Sequence, residues 1–202
     1  MKRTAPHRLG LFALLLSGLS FAASPGYALD RSRPEIAQQD SVISIEHRFV
    51  TDLSPDSVAY LLFRPDHLIE SEKGTPGEME IDDVNPSGYN VRIRYSLLLF
   101  YRNRMVLHRS LEQHGDTLMV RSRLVDFWQT VGVAPEPTSS CALYIITPKP
   151  YGGTVVTYRQ ETTFQQPLGS YAYRYFSGET ERAILSEVDY IHRFEPVQVA
   201  QR

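Results

Sequence analysis

The most constraining feature of this 202-residue sequence is the order in which its hydrophobic periodicities appear. Between residues 78 and 164, apolar side chains recur mostly at every second position, which is the period of a half-buried β-strand. After Pro167 the period changes, because residues 170–193 contain no proline and place apolar side chains near helical spacing. The sequence therefore predicts an antiparallel sheet followed by one long C-terminal helix.

Seven strands and a short helical region are predicted from this alternation and from the turn residues between the apolar runs. The strands span residues 42–50, 78–84, 89–101, 105–113, 117–127, 141–147 and 154–164. After the first strand, Ser54 can cap a helix, Pro55 suits its first position, and Asp56 complements its dipole. Pro65 ends this helix, and residues 66–69 allow one further short turn.

The first 28 residues have the pattern of an export signal. Three basic residues precede the apolar run of residues 9–23, and Gly26-Tyr27-Ala28 places small residues where a signal peptidase cleaves. The run is shorter than the roughly 18–20 apolar residues that a membrane-spanning helix needs. We therefore expect a signal peptide over residues 1–28, cleaved after Ala28.

The rest of the chain has the length of one domain. Residues 29–41 are polar and without a period, so they are expected to be a flexible lead-in to a domain over residues 42–194, with a tail over 195–202. The mature chain has a single cysteine, Cys141, and an exported protein without disulfides fits a bacterial periplasm better than a eukaryotic secreted module.

Composition and motifs exclude several function classes. A net charge of -2 and a pI near 6.3 give no support for nucleic-acid binding. One cysteine excludes a disulfide framework and any multi-cysteine metal site. The sequence contains no P-loop, no G-x-G-x-x-G, no H-E-x-x-H and no G-x-S-x-G. No cofactor, no metal and no ready-made catalytic group are therefore expected.

The element order resembles that of the START-like, or SRPBCC, superfamily. The resemblance is carried by residues 42–50 leading into residues 54–58, and by Gly152-Gly153-Thr154-Val155-Val156-Thr157-Tyr158-Arg159, which looks like the penultimate "G-T-x-V-T-Y" strand of these proteins. It covers roughly residues 42–192. Where many relatives have Trp-Pro near the first helices, this chain has Phe63-Arg64-Pro65.

The resemblance implies an α+β helix-grip fold, in which a curved antiparallel sheet of about seven strands wraps the C-terminal helix and encloses an apolar pocket. A cystatin-like or lipocalin-like arrangement is the main alternative. The implied ligand is a hydrophobic small molecule: a lipid, a quinone, or a sterol-like or polyketide-like compound.

The candidate pocket residues are those on the apolar strand faces and at the start of the last helix. They are Tyr89, Val91, Ile93, Tyr95, Leu97, Leu107, Leu118, Val120, Leu124, Leu143, Ile145, Tyr173 and Phe176. Such side chains suit a ligand cavity, in which a few polar groups fix the orientation. A filled core explains the same pattern, so both interpretations stay open.

Two polar residues interrupt apolar strand faces. His47 lies between Ile45 and Phe49, where it could bind a ligand headgroup or act as a general base. A structural role, with a hydrogen bond to a carbonyl or a carboxylate, is the favoured alternative. Arg109 shares a face with Leu107, and because a buried arginine must be paired it is a candidate for an anionic or carbonyl group of a ligand.

Three functions are compatible with these features. The leading hypothesis is an exported carrier or sensor of a hydrophobic molecule without catalysis. The second is an envelope interaction protein with a filled core, and the third is a cyclase-type or hydrolase-type enzyme using His47 with Asp126 or Glu161. The alternating arginines Arg92, Arg94, Arg121 and Arg123 would suit transient contact with anionic lipid headgroups of a membrane surface. An exposed face interleaved with acidic residues is the favoured interpretation of these arginines.

Overall fold

The elements of the fold are taken from a computed structural model, which describes residues 33–71, 78–97, 101–129 and 135–195. The strands are β1 (Glu35–Gln39), β2 (Val42–Thr51), β3 (Glu78–Asn85), β4 (Gly88–Leu97), β5 (Tyr101–His114), β6 (Thr117–Gln129), β7 (Pro137–Pro148) and β8 (Thr154–Phe164). The helices are α1 (Pro55–Phe63), α2 (Pro65–Ser71) and α3 (Ser170–His192). The predicted signal peptide and residues 196–202 of the predicted tail lie outside the described residues.

The eight strands form one antiparallel sheet in the order β1-β2-β8-β7-β6-β5-β4-β3. From β3 to β8, each strand pairs with the next along the chain, as short turns require. The pairing of β2 with β8 brings the two ends of the domain together. This curved sheet, with its long final helix and its short helices after β2, is the predicted helix-grip fold, with eight strands in place of about seven.

The additional strand corrects one prediction. Residues 29–41 were expected to be flexible, but β1 is a strand that pairs with β2 along its whole length. Its side chains are mostly polar and solvated, so backbone pairing and not an apolar period holds it at the sheet edge. The Tyr173 hydroxyl donates to the Ile36 carbonyl at 3.2 Å, and Gln38 donates to the Leu168 carbonyl at 3.3 Å. These contacts fasten β1 to α3 and to the segment before it.

Helix α1 begins and ends where the sequence predicts. The Ser54 hydroxyl accepts a hydrogen bond from the Ser57 backbone N–H at 3.3 Å, and Pro55 takes the first helical position. Pro65 prevents the helix from continuing and separates it from α2. The buried face of α1 packs on β5, β6 and β7, so one face of the sheet is covered and the other is an outer face.

Two apolar clusters form the core on the helix-covered face. The larger one joins α1 and α3 to the central strands, with Phe49, Val120 and Ile191 among its most buried side chains. The smaller one consists of Leu68 on α2 with Tyr89 and Val91 on β4. Among the helices that the structure describes, none is long and apolar enough to span a bilayer.

Candidate binding face

An apolar strip extends over the helix-covered face of β3, β4, β5 and β6. Strand register places its members side by side on this face, and all of them are only partly buried. We call them the apolar strip: Met79, Ile81, Ile93, Met105, Leu107, Leu124 and Phe127. Four of them, Met79, Ile81, Ile93 and Leu107, contact the small cluster around Leu68. The strip is therefore continuous with the core but still accessible to solvent.

Three members of the strip, Ile93, Leu107 and Leu124, are among the predicted pocket residues. Met79, Ile81, Met105 and Phe127 were not in the predicted set. The signal for two of them was present, because Glu78-Met79-Glu80-Ile81 alternates acidic and apolar residues in the way a half-buried strand does.

Arg109 is buried on this face and is bound by protein groups. Its Nε and Nη2 atoms donate to the Leu62 carbonyl oxygen at 3.1 and 2.6 Å, and its Nη1 atom donates to the Ser122 hydroxyl at 2.9 Å. Leu62 lies in the last turn of α1, where carbonyl groups lack helical partners and the helix dipole favours a cation. Arg109 therefore caps α1 from the sheet.

Tyr89 caps the same helix end. Its hydroxyl donates to the Phe63 carbonyl oxygen at 2.5 Å, and its ring packs 5.3 Å from the ring of Phe63. Burial raises the pKa of the Tyr89 phenol to about 12, although the positive charge of Arg109 opposes this shift. The phenol is therefore a neutral hydrogen-bond donor at physiological pH.

His47 is buried inside the main core and not beside the apolar strip. It lies on β2 opposite Tyr158, and its ring stacks on Phe49 with centroids 6.0 Å apart. The ring shares the helix-covered face with Ile45 and Phe49, as the alternation predicted.

The enzyme hypothesis needs Asp126 or Glu161 beside His47, but both carboxylates lie on the outer face of the sheet. Asp126 forms an exposed ion pair with Arg104 at 2.7 Å. A bulge near Val125 explains its orientation: Leu124 pairs with Leu107 and Asp126 pairs with Val106, so the alternation shifts by one residue. Glu161 is exposed on β8, in the phase opposite to that of the buried Thr162. The predicted site of His47 with Asp126 or Glu161 is wrong.

Leu143 and Ile145 on β7 were predicted to line the pocket, but they lie on the outer face of the sheet. Leu143 pairs with Arg121 and with Arg159 on the outer face, and Ile145 has the same phase. The intervening Tyr144 and the following Ile146 are the buried residues of this strand. The run Cys141-Ala142-Leu143-Tyr144-Ile145-Ile146 is apolar at nearly every position, so its phase could not be determined from the sequence alone.

The remaining predicted pocket residues lie in the core or outside the description. Leu118 and Val120 are buried in the main cluster, and Tyr89 and Val91 in the smaller one. Phe176 packs with its ring 5.5 Å from that of Phe164, and Tyr173 contacts β1 as described above. Tyr95 and Leu97 belong to the end of β4, where side chains lie outside the described residues.

A small internal space lies between the three helices. Its volume is about 10 Å³, and it is lined by Leu61, Leu62, Leu68, Glu187, Tyr190 and Ile191. A space of this size holds about one water molecule. The His67 ring nitrogen Nδ1 and the Tyr190 hydroxyl form a 2.6 Å hydrogen bond that links α2 to α3 beside it. The helices are therefore closely packed at this point.

The outer face of β3 to β6 carries paired charges. Arg92 and Arg94 on β4 form ion pairs with Glu80 at 3.3 and 3.1 Å, and Arg121 on β6 pairs with Glu112 at 3.3 Å. This arrangement is the interleaved basic and acidic face that the sequence favoured for these three arginines.

Comparison with solved structures finds several proteins of similar architecture. A fragment of the STAR-related lipid transfer protein of Xanthomonas axonopodis superposes with a TM-score of 0.55 at 14% identity, over 80% of this chain and 98% of that one. The Zhui aromatase/cyclase of Streptomyces sp. R1128 gives a TM-score of 0.55 at 14% identity, over 75% and 92%. Norcoclaurine synthase of Thalictrum flavum gives 0.55 at 12% identity, over 78% and 96%.

Sequence comparison adds no closer relationship, because no family model and no curated protein matches the chain. The identities to the solved structures are low, so these similarities concern the architecture. The chain shares the helix-grip fold of these three proteins, as its element order predicted.

Proposed function

We propose that this protein binds a hydrophobic small molecule on the apolar strip and acts as its carrier or sensor without catalysis. The observation that carries the proposal is the partial exposure of seven apolar side chains on the helix-covered face, where the neighbouring Tyr89 and Val91 are buried. Contiguous apolar surface that remains open to solvent marks binding sites in soluble proteins. Covering it would contribute about 25 cal/mol per Å² of apolar area.

The site would recognise its ligand by shape and apolar contact more than by charge. Two polar side chains of this face, Arg109 and Tyr89, already donate to the last carbonyl groups of α1. Flexible side chains such as Met79 and Met105 adapt to ligands of different outline. A lipid, a quinone or a similar largely apolar compound fits this surface better than a polar metabolite.

The names of the structurally similar proteins support a ligand-binding role. One is a lipid transfer protein, one is an aromatase/cyclase and one is norcoclaurine synthase. The names include both transfer and catalysis, so they favour a ligand-binding role without deciding between the two. The two carboxylates expected beside His47, those of Asp126 and Glu161, lie on the outer face of the sheet, which favours a carrier here.

The place of action is also part of the proposal. The basic N-terminus, the apolar run and the small residues before Leu29 support export of a cleaved chain, and the periplasm is the compartment we propose. Fractionation of expressing cells with N-terminal sequencing tests it. We expect a mature chain that begins at Leu29 in the periplasmic fraction, and an uncleaved chain in the cytosol would contradict export.

A second function is favoured by one observation. The internal space between α1, α2 and α3 is only about 10 Å³, which suits an interaction protein with a filled core. In that case the apolar strip would contact another protein. Because the strip is open and the interior is closely packed at this point, a ligand would bind on the strip and not in this space.

Native mass spectrometry of the purified mature protein, with lipid analysis of its organic extract, separates the two functions. A stoichiometric apolar adduct supports the carrier. Displacement of a fluorescent fatty-acid probe then locates the site: Leu107→Gln on the strip should weaken probe binding about tenfold. The matched control is Val106→Gln, at a half-buried apolar position on the outer face of the same strand. Absence of any adduct together with equal effects of both variants would overturn the proposal.

A further inference from the structure

A polar groove lies on the outer face of the sheet, opposite the apolar strip. It has a volume of about 210 Å³, and its lining residues are His108, Ser110, Glu112, Arg121 and Arg123. We call it the outer groove. Register places His108 beside Arg123 and Ser110 beside Arg121, so its basic groups come from neighbouring positions on β5 and β6.

A glycine borders the groove on β4. Gly88 pairs with Ser110, and a Cβ atom at this position would lie 2.8 Å from the Arg109 carbonyl oxygen and 3.1 Å from the His108 ring. Only glycine fits there without a shift of the backbone or the ring. The groove is therefore open beside Ser110, since no side chain projects from β4 at that point.

The charges of the groove are unbalanced. Glu112 forms an ion pair with Arg121, with 3.3 Å between Glu112 Oε1 and Arg121 Nη1. The other carboxylate oxygen of Glu112 lies 3.5 Å from the Nε2 atom of His114. Arg123 has no carboxylate partner within the described ranges, whereas Arg92, Arg94, Arg104 and Arg121 on the same face all have one. Among the described residues, the groove thus presents one guanidinium group without a counter-ion.

Two successive hydrogen bonds, from Asp83 through Asn90, orient the His108 ring. The Asn90 amide nitrogen donates to an Asp83 carboxylate oxygen at 2.7 Å, which turns the Asn90 amide oxygen toward the His108 ring nitrogen Nδ1 at 3.0 Å. Because an amide oxygen only accepts hydrogen bonds, Nδ1 carries the proton. In the neutral ring, Nε2 is then a hydrogen-bond acceptor.

We propose that the outer groove binds a phosphate monoester or hydrogen phosphate. Guanidinium groups match the geometry of phosphate oxygens, and the Ser110 hydroxyl adds a neutral donor. A protonated phosphate also carries one O–H group, for which the His108 Nε2 atom is an acceptor. The ligand would supply a counter-ion to Arg123. The phosphate is that of a phosphatidic acid headgroup or of a soluble phosphate.

This site is independent of the proposed function, because it lies on the opposite face of the sheet. Titration of the purified protein with inorganic phosphate, followed by NMR of the backbone amides of β5 and β6, tests it directly. We expect saturable shifts at the outer groove, and Arg123→Gln should weaken binding about tenfold. Arg104→Gln is the matched control, since Arg104 is an exposed arginine of the same face that is paired with Asp126.

Vesicle flotation distinguishes the sources of the phosphate. Binding to phosphatidylcholine vesicles that contain phosphatidic acid, but not to phosphatidylcholine alone, identifies a lipid headgroup, provided that Arg123→Gln weakens this binding. Phosphate-dependent shifts without flotation identify a soluble phosphate. The proposal is overturned if inorganic phosphate gives no saturable shifts, or if Arg104→Gln weakens binding as much as Arg123→Gln does.

Discussion

Arg109 in the sheet donates two hydrogen bonds, at 3.1 and 2.6 Å, to the carbonyl oxygen of Leu62 at the end of α1. The contact spans 47 residues of sequence and is buried. It fixes the end of the helix against β5 with a cation at the negative pole of the helix dipole. The residue that looked most like a ligand-binding arginine therefore has a structural contact.

Replacing Arg109 should destabilise the domain. Arg109→Met keeps an unbranched apolar stem but leaves the Leu62 carbonyl and the Ser122 hydroxyl without their donor. We expect a loss of about 1–3 kcal/mol in the free energy of unfolding, measured by denaturant titration. Arg104→Met, on the same strand but in an exposed ion pair, should cost less than about 1 kcal/mol. Equal losses for the two variants would contradict the capping role.

The neighbouring Tyr89 makes the stability sensitive to alkali. Burial raises the pKa of its phenol from the ordinary value of 10 to about 12 in the folded chain. The stability contributed by the neutral phenol is therefore fully present below pH 10 and is lost as the pH rises toward 12. Unfolding experiments across this range should show a smaller decline for Tyr89→Phe than for the wild type. Tyr151→Phe, at a fully exposed position, should follow the wild type.

The element order was predictable because strand and helix periods differ and because prolines and glycines mark the boundaries. The bounds of α3 were predicted to within one residue, since no proline interrupts residues 170–193. Which face of the sheet each side chain lies on was less predictable. The enzyme hypothesis required Asp126 or Glu161 inside the sheet. An unbroken alternation through β6 would have placed Asp126 there, but the bulge at Val125 is set by its partner strand.

The candidate site was only partly predictable for a related reason. Met79 and Ile81 alternate with acidic residues, so their facing could have been inferred. Leu143 lies in a run that is apolar on both faces, and only its pairing with Arg121 determines its side of the sheet. Strand β1 has no apolar period at all and depends on its edge contacts, which a single-sequence pattern does not contain.

We expect the contact between Glu195, just after α3, and the end of β2 to be sensitive to acid. The Glu195 carboxylate accepts hydrogen bonds from the Thr51 hydroxyl at 2.6 Å and the Asp52 backbone N–H at 3.0 Å, and it lies 2.9 Å from His192. Partial burial alone would raise the pKa of Glu195, but these partners together lower it below its ordinary value of 4.5.

Because the folded-state pKa of Glu195 is depressed, its contribution to stability is present above pH 4.5 and is lost as the pH falls through the lower folded value. Wild type should therefore be more stable than Glu195→Gln at pH 7, and the difference should shrink as the solution is acidified below pH 4.5. Thermal unfolding at a series of pH values measures this. A difference that stays constant to low pH would show that the carboxylate charge is not involved.

The two glycines before β8 should respond differently to the same substitution. Gly152 and Gly153 both have positive φ, 97° and 78°, so alanine is strained at either position. A Cβ at Gly152 meets no other atom within 4 Å, whereas a Cβ at Gly153 would lie 2.5 Å from the Thr51 carbonyl oxygen. Gly153 is therefore the position at which the β7–β8 turn approaches the backbone at the end of β2.

Gly152→Ala should cost about 1 kcal/mol of unfolding free energy, the usual cost of placing a side chain at positive φ. Gly153→Ala should cost more, about 2–4 kcal/mol, because the turn or the end of β2 must also move. Denaturant unfolding of the two variants measures these losses. Both variants carry the strain of positive φ, and only Gly153→Ala adds the close contact with the Thr51 carbonyl oxygen. Equal losses would mean that the turn yields freely and that its approach to Thr51 does not restrain the sheet.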